Sequence, residues 1–173
     1  MTWLLIVAAV LLVGVYTSWT AGRLDRLHAR VDAAWAGLDA ALVRRAAAAR
    51  AVELRLPPGP PAQGLARAAA AALQGGPVNR EAVENDLSAA LRAALPLLPG
   101  DPASQAARDE LATAMARVGF ARSFHNSAVA DTTRLRRRRY PRALRLAGHR
   151  VMPQHFDIDD TVLASAPAGV PDH

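Results

Sequence analysis

The chain has 173 residues, no cysteine and a formal net charge of +6, and every one of its 21 basic residues is arginine. Without thiols there is neither a disulfide framework nor a thiolate metal site, and the length allows about one domain beyond an apolar N-terminal stretch. No phosphate-cradling glycine loop, nucleophile elbow or His-Glu-x-x-His motif occurs, so the common catalytic signatures are missing from the sequence.

Residues 1–22 contain no charged side chain. A helix apolar on every face has no side to give to water and must be covered by protein or lipid. Roughly 20 helical residues span the ~30 Å hydrocarbon core of a bilayer. Trp3 stands near one end of the run, and Tyr16 and Trp19 near the other, where interfacial rings are favoured. Arg23, Arg26 and Arg30 follow it, against one early acid, Asp25. Positive residues stay on the cytoplasmic side, which predicts a single-pass anchor with its N-terminus outside and the remaining chain inside. The rival is a cleaved signal peptide, for which Thr20-Ala21-Gly22 is a loose cleavage match. That rival lacks the basic start a signal needs, and the apolar run is long for a signal core.

The rest reads as helices. Alanine is abundant, and the strand-forming residues never alternate convincingly. A first helix continues out of the anchor to about Arg55, with Leu24, Leu27, Val31, Trp35, Leu38 and Leu42 at steps of three and four. Prolines 57, 58, 60 and 61 end it. A second helix covers about 62–74, with Leu65, Ala69, Ala72 and Leu73 inward, and Gly75-Gly76-Pro77 closes it. A third covers about 80–95, with Asn79 as cap and Val83, Leu87, Leu91 and Leu95 as its buried stripe. Asp101 and Pro102 suit the N-cap and first position of a fourth, longest helix. Its apolar set is Leu111, Met115, Val118, Phe120, Phe124, Val129 and Leu135, and it should stop at Tyr140, before Pro141.

The expected fold is all-α: an N-terminal transmembrane helix continuing into an elongated antiparallel four-helix bundle. Residues 1–22 form the anchor, 23–148 the bundle, and 149–173 an extended acidic and disordered tail. At a rise of about 1.5 Å per residue the first and fourth helices are both longer than about 50 Å, so the fourth should return to the membrane surface. The second and third are too short to line that length, so the membrane-proximal half is expected to be a two-helix coil or to need a partner.

With these helices placed, several stretches resemble the LemA family of bacterial membrane proteins. Residues 31–45, with Val31, Trp35, Leu38-Asp39, Leu42 and the paired basics Arg44-Arg45, are similar to that family's first-helix signature. Glu84-Asn85-Asp86-Leu87 resembles its Glu-Asn-x-Leu pattern, and Ala121-Arg122 with Asn126 and Val129 its Ala-Arg-x-x-Tyr-Asn-x-x-Val. Tyr140-Pro141 stands for Phe-Pro, and Pro153 with Phe156-Asp157 for a closing Pro-x-x-Phe-acid segment. The departures are His125 in place of a Tyr, Thr132-Thr133 in place of a second Tyr-Asn pair, and His149 in place of a Phe. A proline after the paired basics is also missing. The resemblance implies a divergent member: a helical, membrane-anchored bacterial protein without catalytic activity. No cofactor is expected, and the Arg flank gives the single pass in the cell membrane its cytoplasmic bundle.

Between Arg122 and Arg150 stand nine Arg and a single acid, Asp131. Four consecutive Arg cover every face of a helix and cannot all pack inward. Arg134, Arg136, Arg137, Arg138, Arg139 and Arg142 are therefore read, with Arg23, Arg26 and Arg30, as a surface for anionic lipid headgroups. The bland alternative is a solvated helix end, where cations suit the dipole. A scaffold of this kind implies a protein partner or a second copy. The runner-up readings are a basic regulatory protein binding nucleic acid near the membrane and, lower, a metal-dependent enzyme. No groove-reading motif supports the first. For the second, His149, His155, Asp157, Asp159 and Asp160 match no zinc spacing, and the calcium-loop Gly and closing Glu are missing. That segment is expected to be a solvated acidic stretch, and His125 a packed or hydrogen-bonded histidine.

Overall fold

The computed structural model describes residues 2–76, 79–136 and 154–159, the side chains of residues 21, 24, 135 and 136 excepted. All regular structure among them is helical. In chain order come α1 (Thr2–Glu53), α2 (Pro60–Gln74), α3 (Arg80–Ala94), a 3-10 turn at Leu95–Leu97, and α4 (Pro102–Arg136).

α1 is unbroken from the apolar stretch into the arginine-bearing part, because no proline interrupts residues 2–53. Its N-terminal segment is long and apolar enough to cross a membrane. Leu4, Leu5, Leu11, Leu12 and Val15 are all exposed there, uncovered by any of the other described residues. The hydroxyls in this stretch turn back onto the helix. Thr17 Oγ1 donates to Gly14 O at 2.9 Å and Thr20 Oγ1 to Tyr16 O at 2.8 Å. Each thereby meets its own hydrogen-bonding need without water.

The described residues divide into two compact units, and α1 and α4 contribute to both. In the first unit Val31 and Ala34 of α1 pack on Ala128 and Val129 of α4. In the second, all four helices share one core: Ala46, Ala49 and Val52 of α1, Leu65, Ala69 and Ala72 of α2, Leu87 and Leu91 of α3, Leu111 and Met115 of α4. So much alanine lets helix backbones approach closely, while the leucines fill the remaining space.

Helix ends follow local chemistry. α2 begins two residues before the expected start, because Pro60 and Pro61 occupy first-turn positions whose N–H groups need no helical partner. Asp101 caps α4: Oδ1 accepts from Ala103 N at 3.0 Å and Ser104 N at 3.1 Å. Arg108 reaches from α4 to the carbonyl of Leu95 at 3.1 Å, satisfying an acceptor after α3. Asn79, expected to cap α3, makes no side-chain cap bond; it sits at φ 63°, ψ 21°, a left-handed conformation that asparagine tolerates.

Three expected core positions lie outside. Leu73 is partly exposed, and Phe120 and Phe124 are 78% and 55% exposed. The buried face of α4 runs through Leu111, Met115, Val118, His125, Val129 and Thr132, at steps of three, four and seven. Phe120 is two residues past Val118, about 200° around the helix, and so falls on the far side. The sequence held more apolar side chains than one face can bury. Leu135 is in α4, but the direction of its side chain is not described, and the expected end at Tyr140 lies outside the described residues.

Candidate functional site

Of the nine arginines expected at a membrane surface, four have described side chains. Arg23 and Arg26 are exposed, and the Arg23 guanidinium lies over the Trp19 ring, 5.7 Å from its centre. Arg30 and Arg134 flank one acid, Asp131, each at 3.7 Å. Arg30 also lies over the exposed Phe124 ring at 5.4 Å. The structure thus joins Arg30 of α1 and Arg134 of α4 around the acid that had stood alone in the basic segment. Arg136 is in α4 without a described side chain, and Arg137, Arg138, Arg139 and Arg142 lie outside the described residues.

The most concentrated chemistry is elsewhere, in the second unit. Arg45 is fully buried although it belongs to a pair of basics, because it falls on the core stripe of α1, seven residues after Leu38. Glu84, also fully buried, faces it from α3, with Arg45 Nη1 3.6 Å from Glu84 Oε2. Arg80 approaches the same carboxylate through Nε at 3.2 Å and reaches Asp39 of α1 at 3.4 Å. The four formal charges balance. Burial pushes the Glu84 carboxyl above its ordinary value, against the pull of the Arg45 and Arg80 guanidiniums.

Backbone groups complete the cluster. Arg45 Nη2 donates to Ser88 Oγ at 2.5 Å and to the Glu84 carbonyl at 3.4 Å. Arg80 Nη1 donates to Gly75 O at 2.9 Å, at the end of α2. A Cβ at position 75 would stand 2.3 Å from that nitrogen and 3.3 Å from the Ala72 carbonyl, so a larger residue there must displace the Arg80 guanidinium. One buried arginine therefore ties together α1, the end of α2 and α3.

Residues 156–159 add an extended segment to this unit. Phe156 and Ile158 are buried while Asp157 and Asp159 point out. Asp157 N donates to Glu81 Oε1 at 2.7 Å, and Asp159 N to Asn85 Oδ1 at 2.9 Å. Arg122 contacts Asp157 Oδ1 at 3.1 Å and the Ile158 carbonyl at 3.3 Å; Arg92 contacts Asp159 Oδ2 at 2.6 Å. Ser88 Oγ lies 2.7 Å from the Asp159 carbonyl and 3.0 Å from that of Glu84. Its single proton serves one of the two at a time. The acidic segment is thus docked rather than simply solvated, which corrects the expectation from its charge. The apolar residues between the acids decide this. Burying a Phe or an Ile gains about 1.5–3 kcal/mol each, whereas an exposed pair such as Arg122–Asp157, its acid 91% exposed, gains about 0–1. Ordering each residue costs about 1–2 kcal/mol, a total of the same size as those gains, so the segment is held only weakly. The part of the tail read as disordered, from residue 162, lies outside the described residues.

In the first unit His125 is buried, its ring edge-on to Trp35 with centres 5.5 Å apart. Its Nε2 is 3.2 Å from the Gln154 carbonyl. A carbonyl only accepts, so this nitrogen carries the proton in the neutral ring. The histidine is packed and hydrogen-bonded, as its place near the apolar face suggested.

Among the described residues no three His, Asp or Glu side chains gather as a metal-holding group. Asp157 and Asp159 face arginines, and His149 and Asp160 lie outside the described residues. Sequence reasoning placed Arg45, Glu84, Asn85, Arg122 and Asp157 in short motifs but not in one site. Their convergence depends on helix packing, and the local signal was only that Arg45 continues an apolar stripe.

Among the described residues, the class so defined is a helical protein with one N-terminal helix long and apolar enough to cross a membrane and a second unit whose apolar core carries a buried charge cluster. No family model, curated protein or solved structure matches the chain.

Proposed function

We propose that this chain is a single-pass, membrane-anchored helical scaffold of the LemA type, an elongated antiparallel four-helix bundle without catalytic activity. The observation that carries the reading is the unbroken α1, whose apolar first third stands exposed among the described residues yet continues directly into the core. Water is a poor solvent for such a surface and a bilayer a good one. A cleaved signal would pass the same test of length and composition, but it would leave a cut end within this helix. The Arg residues after the stretch favour a cytoplasmic bundle in a bacterial cell membrane.

The LemA-type reading rests on motifs and draws support from where their residues meet. Trp35 touches His125, Arg45 faces Glu84, Asn85 binds Asp159 and Arg122 binds Asp157. The charges of the buried cluster are paired with one another, which favours scaffolding over catalysis. Arg23, Arg26 and the basic stretch from Arg134 are the proposed contact with anionic headgroups, worth up to about 1 kcal/mol per Arg near the surface.

Topology tests the reading directly, because the chain has no native cysteine. Single substitutions Thr2→Cys and Ser165→Cys are exposed in whole cells to a membrane-impermeant thiol reagent. Labelling at position 2 and protection at 165 is expected. Labelling at 165 alone reverses the orientation, and a chain recovered without its first 22 residues removes the anchor.

A further inference from the structure

Glu81, Asn85, Ser88 and Arg92 stand at i, i+4, i+7 and i+11 of α3, one polar stripe along a single helix. Each meets the extended segment 156–159. Glu81 takes the N–H of Asp157 and Asn85 the N–H of Asp159; Ser88 meets the Asp159 carbonyl and Arg92 its carboxylate. The order of contacts shows that helix and segment run in the same direction.

The fit has a simple geometric origin. Four helical residues advance about 6.0 Å, and two extended residues about 6.6 Å. The two repeats differ by about a tenth, so acceptors four apart on α3 meet every second N–H of an extended chain. α3 acts here as the edge of a sheet would, but with side chains for its ladder. The alternation of an extended chain then sends the intervening side chains the other way, and Phe156 and Ile158 are the buried ones. Arg92 and Arg122 read the outward acids, also two apart.

None of these contacts uses anything peculiar to residues 156–159 except an alternation of apolar and acidic side chains on an extended backbone. We infer that this face of α3, with Arg122 of α4, is a docking site for an extended peptide of alternating apolar and acidic residues, and that 156–159 is its resident occupant. The partner is a protein carrying such a strand, selected by charge complementarity to Arg92 and Arg122 and by two apolar side chains in register. Exchange replaces like contacts with like, so a competing strand needs only to outlast a four-residue occupant. The mode is strand addition, with a helix stripe in place of a sheet edge.

This goes beyond the scaffold reading and stands apart from the membrane. A chain that takes the peptide but never enters a bilayer loses the anchor and keeps the docking site. The test uses the full chain in mild detergent and a fluorescent peptide of sequence Gln-His-Phe-Asp-Ile-Asp, followed by anisotropy. Two variants empty the site differently: Phe156→Ala with Ile158→Ala removes the buried side chains, and Asp157→Arg with Asp159→Arg reverses only outward charges. Both are expected to bind the peptide on the order of tenfold or more tightly than the unmodified chain, whose occupant leaves few open sites. Adding Arg92→Glu and Arg122→Glu to either should abolish binding, as should Asn for both Asp in the peptide. Emptied chains that keep their helical circular dichroism yet bind no peptide overturn the inference. So does binding indifferent to the arginine substitutions. If the alanine variant loses its helices, the charge-reversed variant decides, since it changes no buried side chain.

Discussion

Arg45 and Glu84 each leave water entirely, and each is tolerated only because the other is there. Arg45→Ala removes the largest fully buried side chain, opens a cavity and takes a cation from beside Glu84. The expected loss is about 3–5 kcal/mol, the range for breaking a buried pair. Urea denaturation followed by circular dichroism measures it, and an unchanged midpoint would show that the pair carries no stability. Arg44, its exposed neighbour, is the control: Arg44→Ala should shift the midpoint little.

The same carboxylate sets a pH dependence. Burial first, opposed by Arg45 and Arg80 and aided by Asp39, raises Glu84 above its ordinary value of 4.5. The folded state then holds the proton more tightly than the unfolded one. Its contribution is fully present below 4.5 and is lost as pH rises through the folded value. The unmodified chain should therefore lose stability relative to Glu84→Gln as pH is raised from that point. Parallel curves for the two proteins across the window would show that burial does not dominate.

Among the elements, α4 shows a cap read directly from sequence. Asp101 is held below its ordinary carboxylate range by the Ser104 hydroxyl and then the Ser104 backbone N–H. A lowered carboxyl contributes stability above its unfolded value and loses it as pH falls through the folded one. Asp101→Ala should fray the first turn of α4, with faster amide exchange at Ala103 and Ser104 and none of that change near Val129. Asp101 was legible because capping depends on residues three apart. The docking of residues 156–159 was not, because the acceptors on α3 are more than seventy positions away in the chain. Charge alone suggested a solvated stretch, and the alternation of Phe156 and Ile158 with the acids was the overlooked signal.

At the scale of the molecule the exposed apolar part of α1, long and apolar enough to cross a membrane, is where the proposed anchor is tested. Leu11 lies near the middle of that stretch. Leu11→Arg places a cation where a bilayer centre charges about 2.5–3.5 kcal/mol for it. The expected result is loss of the chain from the carbonate-resistant membrane fraction; unchanged fractionation would count against the anchor.

The helices, their proline and glycine boundaries and the span-length apolar run were determined by the sequence alone, since each rests on periodicity or on neighbours within a turn. Which surplus apolar residues stay outside was decided by tertiary structure, because α4 has one buried face and Phe120 and Phe124 fall off it. So was the fate of the arginines. A sequence counts Arg45 and Arg80 as charges like any others, and only the approach of α3 to α1 turns them into buried partners of Glu84. Long-range pairing depends on how faces meet in space, and no local pattern encodes that meeting.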